Sequence, residues 1–370
     1  MLSALDDTLW HQLATTFDHV GTSDPRFFDR YWFAAYARDG RAALQFTLGV
    51  YRNMNVVDGA VVVIINGQQH NLRVSRTLGV INEAACGPLS VEVLTPLQAF
   101  RLTVSDDDGG IRGEIVWNGI APPQEEAPHF KRANGRVIED YQRFNQIGAA
   151  RGWIEAGGSR VEIDDWWGCR DHSWGVRPRI GISEPKTGAT DSLDKRGFTM
   201  AFMFFSTEQT AGTLLLMQRE GELAYTSGTL TNRATTASQE IVSVSLQPTL
   251  VEGTRRFSQV AVRVTLEEGQ TLDLTCACLG HAVAMKGLGY SGGYDDKKGL
   301  GVWRGDLHIE RDIWDVADPA VVGYPDGARD RHWHRIQPVT VQEAIGAAAS
   351  QGVGSMTLIL SGAIPALGLT

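Results

Sequence analysis

At 370 residues the chain is long enough for one large or two ordinary domains, taking roughly 100–200 residues per domain. Its 34 Lys and Arg against 43 Asp and Glu leave a formal charge of −9, which withholds the attraction that nucleic acid or an anionic lipid surface would need. A hydrophobic share of 43% with 21% charged residues excludes disordered and collagen-like chains, so a sizeable core is expected.

The opening Met-Leu-Ser-Ala-Leu-Asp-Asp has neither the cationic start nor the apolar run of a signal peptide, and a cytoplasmic location is expected. Residues 4–19 suit one short helix, closed by the Thr22-Ser-Asp-Pro turn. From there the punctuation is that of β-structure. Runs at 28–37, 42–51, 59–65, 69–75 and 89–94 are rich in Val, Ile, Phe and Tyr, and Asp39-Gly40, Asp58-Gly59 and Asn66-Gly67 read as hairpin turns between them. Further strands are expected at 100–104, 111–117, 142–147, 150–155 and 160–166, with turns at Asp107-Asp-Gly-Gly and Gly157-Gly158.

A non-periodic loop from 178 to 195 marks a domain boundary, after which strands resume at 197–205, 212–218, 223–228, 240–246, 257–266 and 271–277. Helical periodicity returns at 339–350, where Thr340-Val-Gln-Glu resembles a capping box, and an apolar tail follows from 352 to 370. Short strands at near-regular spacing in two blocks predict an all-β protein of antiparallel sandwiches or barrels. The divisions are 1–177, 178–337 and a helix with an apolar tail over 338–370.

No GxGxxG or P-loop precedes a helix, HExxH does not occur, and no strand–turn–helix nucleophile elbow is recognisable, which disfavours dinucleotide, nucleotide and serine-hydrolase chemistry. Cys86, Cys169, Cys276 and Cys278 form no CxxC pair, so a zinc site is not expected, and Cys276 and Cys278 read as packing residues. No cofactor and no metal is expected.

The densest chemistry lies in Asp164-Asp-Trp166-Trp167-Gly-Cys-Arg170-Asp171-His172-Ser-Trp174-Gly-Val-Arg177. In an extended chain Arg170, His172 and Trp174 project to one face and Asp171 and Ser173 to the other. A histidine beside an arginine and indoles suits acid–base chemistry on an apolar substrate. Asp171 is placed to pair with Arg177 or to fix local geometry. The same residues also suit a buried polar network that closes a barrel.

The run Trp167-Gly-Cys-Arg-Asp-His-Ser-Trp-Gly resembles the GxRDHxWG signature of the carotenoid 1,2-hydratase and AttH-like superfamily. The resemblance implies two consecutive lipocalin-like β-barrels and maps the active-site His and Trp of that family onto His172 and Trp174. The family's downstream Tyr-x-Asp, whose acid protonates an isolated C=C bond, has no counterpart in Gly197-Phe-Thr-Met-Ala-Phe-Met-Phe-Phe.

A second segment, 287–310, holds Tyr290 between glycines, a pocket candidate, and looks like the last hairpin of a second barrel. His308 and Glu310 there lack further ligands at metal-like spacing. Glu139-Asp140-Tyr141 is an alternative source of the missing acid or simply a turn, Tyr51 ends a strand near a barrel mouth, and Arg331-His-Trp-His334 reads as surface and packing.

Two functions follow. One is a cofactor-independent lyase or isomerase on a hydrophobic terpenoid, steroid or aromatic compound, with His172 and Arg170 catalytic, Asp171 supporting, and Trp166, Trp167, Trp174, Arg177, Tyr290 and Tyr51 binding substrate. The other is a non-catalytic carrier of an apolar ligand in the same pocket. The partners expected are a hydrophobic small molecule and, optionally, a second copy of the chain, with no nucleic acid and no stable membrane insertion.

Overall fold

The computed structural model describes residues 2, 4–9, 11–79, 84–133, 135–181, 197–290, 292–345 and 348–370. Every regular element longer than four of these residues is a β-strand. In chain order they are β1 (Phe27–Tyr36), β2 (Ala42–Tyr51), β3 (Val56–Ile65), β4 (Gln68–Thr77), β5 (Ala85–Cys86), β6 (Leu89–Thr95), β7 (Ala99–Asp106) and β8 (Ile111–Gly119). There follow β9 (Gln124–Glu125), β10 (His129–Ala133), β11 (Arg136–Ala156), β12 (Ser159–Val176), β13 (Phe198–Thr207), β14 (Thr210–Arg219), β15 (Glu222–Asn232) and β16 (Ser238–Leu250). The last are β17 (Phe257–Leu266), β18 (Thr271–Cys278), β19 (Val283–Ala284), β20 (Leu307–Asp315), β21 (Val321–Gly323), β22 (Arg329–Arg331), β23 (Arg335–Ile345) and β24 (Ala348–Ser361).

The large sheet runs β22-β21-β20-β4-β3-β2-β1-β12-β11-β8-β7-β6-β5. It curls around one core in which Phe33, Leu44, Val63, Leu102, Ile115 and Trp166 meet. The two-residue turns Asn66-Gly67 and Gly157-Gly158 have positive φ throughout (53° and 75°, 57° and 75°), as tight hairpins between twisted strands require. Asp58-Gly59 is instead internal to β3, where Asp58 is fully buried, so the turn expected there is a strand.

The second unit is a closed barrel: β13 through β18 follow in order, and β23 and β24 complete the ring by pairing with β18 and β13. Met203, Phe205, Leu216, Val262, Leu274 and Met356 fill it. The helix expected over 339–350 is not formed: the described residues of that range, 339–345 and 348–350, lie in β23 and β24, and Val339 and Val341 point into the barrel with a period of two. Most of the expected apolar tail is β24 itself. At the other end, among the described residues of 4–19 only Ala4–Asp7 forms a 3₁₀ turn, where a longer helix was expected. The strand with His308 is a second correction. It pairs with β4 within the large sheet, where Arg73 holds Asp312 at 2.7 Å and Glu310 at 3.4 Å.

The two units meet back to back. Trp32, Ala34, Tyr36, Val62, Ile147 and Trp167 on the convex face of the sheet pack against Phe204, Ala211 and Ile336. This explains why β2 and β3 are buried along both faces and read as continuous apolar runs. Among the described residues no helix is long and apolar enough to cross a membrane.

Candidate functional site

Strand β12 carries the signature run and lies between β1 and β11, with Asp171 opposite Trp32 on one side and Asn145 on the other. Two glycines bound the run for steric reasons. A Cβ at Gly168 would lie 2.7 Å from the Trp117 indole nitrogen, and Gly175 takes φ +129° with Asp140 oxygen 2.3 Å from a Cβ position.

The alternation across β12 sends neighbouring side chains into different worlds. Arg170 points inward, where its guanidinium sits 4.3 Å from the Phe100 ring centre and 5.0 Å from that of Phe144, and its Nε donates to Gln146 at 2.9 Å. Burial pushes its pKa down to about 10. His172 is on the same side, 2.7 Å from the Asp29 carboxylate and among the rings of Tyr31, Phe144 and Trp174. Trp166 is in the sheet's core.

Asp171 faces the other way, into a cleft of about 2300 Å³ between the sheet's convex face and the outer wall of β13, β14 and β24. It makes no hydrogen bond or ion pair within the described residues. Burial drives its carboxyl pKa up, opposed by the positive charges of Arg143 and Arg177 and helped by Glu126.

The barrel contributes Phe202, Phe204, Leu215 and Met217 as an apolar part of the same cleft's lining, and Trp32 stands beside Asp171 on the neighbouring strand. Arg143 is held from behind by Glu126 at 3.3 Å, which also takes bonds from His129 (2.8 Å) and Asn145 (2.6 Å). Its charges hold the Glu126 carboxyl below the usual range against burial. Arg177 lies 4.5 Å from the Phe28 ring and 5.9 Å from Tyr290, and both Arg177 and Tyr290 line the cleft. His334 joins them with its ring 6.0 Å from Tyr290, its pKa depressed to about 4 by burial and by Arg179 and Arg177.

Of the residues expected at one site, the structure brings Asp171, Arg177 and Tyr290 to the cleft and places Arg170, His172, Trp166 and Trp174 on the opposite side of the sheet. Trp167 is sealed between the units, its indole N–H donating to Ser206 at 3.0 Å. Tyr51 is fully buried, accepting a bond from Arg30 (2.7 Å) and donating to Asp58 (3.0 Å). Glu139 and Tyr141, weighed as a turn, line the cleft, as do Arg331, Trp333 and His334, read as surface and packing. Arg143 was missed. Its alternation with Asn145 along β11 carried the signal, though not the face it would occupy.

A family model described as "Family of unknown function (DUF8625)" matches residues 2–359. No curated protein matches the sequence significantly. Solved structures with a similar fold include kievitone hydratase from Nectria haematococca, at 10% identity over 90% of this chain and 89% of that one, with a TM-score of 0.45. CghA is similar over 91% and 89% at 10% identity, with TM-scores of 0.49 alone and 0.50 with Sch210972. At this identity the likeness is one of fold.

Proposed function

The chain belongs to that family of unknown function, and from the cleft we propose that it is a cofactor-independent lyase or isomerase that moves a proton on a hydrophobic small molecule, with Asp171 as the acid. The observation that carries this reading is a carboxyl group with a raised pKa, without a hydrogen-bond partner among the described residues, in a cleft that is lined in part by apolar side chains. Burial that raises a carboxyl's pKa moves it toward the range in which it serves as a general acid.

In a hydration, Asp171 gives its proton to one carbon of a C=C bond, water adds to the other, and the proton released by that water returns to the carboxylate. In the reverse sense the same group protonates a leaving hydroxyl. Arg143 and Arg177 stabilise the carboxylate that forms in between. Neutral His334 and the Tyr290 hydroxyl offer polar contacts that orient the substrate or the water. The superfamily resemblance supports this class of chemistry, with the acid supplied by the signature strand itself in place of the absent Tyr-x-Asp.

The test is native mass spectrometry of the purified protein for a retained small molecule, followed by turnover of that compound, and of terpenoid, steroid and aromatic panels, by wild type and Asp171→Asn. Turnover lost in Asp171→Asn with binding retained supports the reading. Undiminished turnover overturns it, and binding with no turnover in either protein favours a carrier.

A further inference from the structure

The cleft is cationic although the chain is acidic. Among the described residues that line it, ten are Arg or Lys and three are Asp or Glu, against a formal charge of −9 for the whole chain. Long-range attraction of an anion therefore acts locally at this opening.

One of these cations is built in without a counter-charge. Arg256 is only 7% exposed, lines the cleft, and its guanidinium makes no ion pair or hydrogen bond with any described residue. Its backbone is fixed at the mouth of the β16–β17 hairpin: its carbonyl accepts from Val251 N–H at 2.7 Å, and its own N–H donates to Thr254 Oγ1 at 3.0 Å. The charges that press on it are Arg331, also in the cleft wall, and Arg335 behind it. Arg335 is occupied by the Pro319 and Phe257 carbonyls at 3.1 and 3.4 Å. Glu252 in the same hairpin forms no ion pair with Arg256.

Burying a guanidinium beside two others costs free energy unless something negative completes the site. The nearby surface is apolar, with Leu250, Val251 and Leu369 in the same wall. The geometry points to a ligand that is an amphipathic anion, its acidic group seated on Arg256 and Arg331 and its apolar body lying along the cleft toward Asp171. A carboxylate and a phosphate monoester share the chemistry this requires, because each accepts two parallel N–H bonds from a guanidinium. This assignment rests on the reading of the cleft as the ligand site and narrows its substrate class to acids.

The experiment is titration calorimetry of the full chain with palmitic acid, its methyl ester and dodecyl phosphate below their micellar concentrations, on wild type, Arg256→Gln, Arg256→Lys and Arg331→Gln. The expected result is that an acid binds roughly tenfold or more tightly than the ester, the worth of one charge-assisted pair. Arg256→Gln and Arg331→Gln bring the acid down to the ester, and Arg256→Lys restores most of the gap. Palmitic acid or dodecyl phosphate being preferred decides between carboxylate and phosphate. If ester and acid bind alike in every protein, the anion site is overturned while the cleft remains a ligand site. If no probe binds, both readings fail. Arg331→Gln, at an exposed position, keeps the test open should Arg256→Gln not fold.

Discussion

Asp171 and His172 are neighbours in sequence but stand on opposite faces of one strand, the carboxyl in the cleft between the two units and the imidazole on the concave side against Asp29. The two residues are therefore separable by mutation. Asp171→Asn removes the acid while keeping the side chain's size, and turnover falls by roughly 10²-fold or more, the usual worth of a general acid. His172→Ala breaks a part-exposed bond to Asp29 and leaves kcat/KM unchanged within about a factor of two, as expected of a change away from the chemistry. Steady-state kinetics of the two variants on one substrate decides between them. A collapse in His172→Ala with full activity in Asp171→Asn would return the site to the concave face.

The raised pKa of Asp171 has a stability consequence with a definite sign. The folded state holds this proton more tightly than the unfolded chain, so the group's contribution is fully present below its ordinary value of 3.8 and is lost as pH rises through the folded value. At neutral pH Asp171→Asn consequently melts no lower than wild type, and wild-type turnover declines with rising pH once the acid ionises. Thermal melts and a pH–rate profile on the same preparations check both.

Glu126 works in the opposite direction. Its folded pKa lies below the ordinary 4.5, so the stability it contributes is present above 4.5 and lost as pH falls below that toward the depressed value. Glu126→Gln leaves Arg143 and His129 without their carboxylate, a loss of about 3–5 kcal/mol for a broken buried pair. It also withdraws one of the charges that raise Asp171, so any activity left shows its basic limb at lower pH. Denaturant unfolding of Glu126→Gln, together with its pH–rate profile, tests the link. A basic limb that stays in place would separate Glu126 from the acid.

Alternation made the split of the signature strand legible: Arg170, His172 and Trp174 against Asp171 and Ser173. Which face meets ligand was not legible, because that depends on a barrel whose first strand begins at Phe198 and covers the convex side of the sheet. The all-β architecture was readable from Val- and Ile-rich runs with Asn-Gly and Gly-Gly turns. The last hairpin was not. Its Ala and Gln content favours helix locally, but β23 and β24 close the barrel, and Glu343 is buried against the hydroxyls of Thr207 and Thr210. Tertiary pairing overrides a weak propensity there. Asp58-Gly59 misled for a related reason, since a dipeptide that usually turns supplies the buried partner of Arg30.

That pairing gives a prediction about the frame of the site. Arg30 and Asp58 are both buried, 2.9 Å apart, and Asp58 also accepts the Gly301 N–H at 2.7 Å, which ties the 287–305 segment bearing Tyr290 to β3. Asp58→Asn strands a buried guanidinium and costs about 3–5 kcal/mol. Tyr51→Phe removes one hydroxyl from the same cluster and costs about 1–3 kcal/mol. Because Arg30 also lies 5.2 Å from the Tyr290 ring, both changes loosen that ring's position and raise KM more than they lower kcat. Urea unfolding and steady-state kinetics measure the two effects separately, and a Tyr51→Phe protein as stable as wild type, with unchanged KM, would detach the cluster from the site.

Below neutrality the two histidines of the 331–334 segment weigh against the folded state. Burial beside arginines lowers His332 to about 3 and His334 to about 4, whereas both take up a proton near 6.5 when the chain unfolds. The unfolded state thus binds more protons between those values, and stability falls as pH drops from 6.5 toward 4, with a slope of up to about 2.7 kcal/mol per pH unit for two groups. His334→Gln carries no such proton and halves that slope. Unfolding free energies of wild type and His334→Gln between pH 7 and 5, compared at constant ionic strength, measure it, and identical slopes would mean that His334 titrates alike in both states.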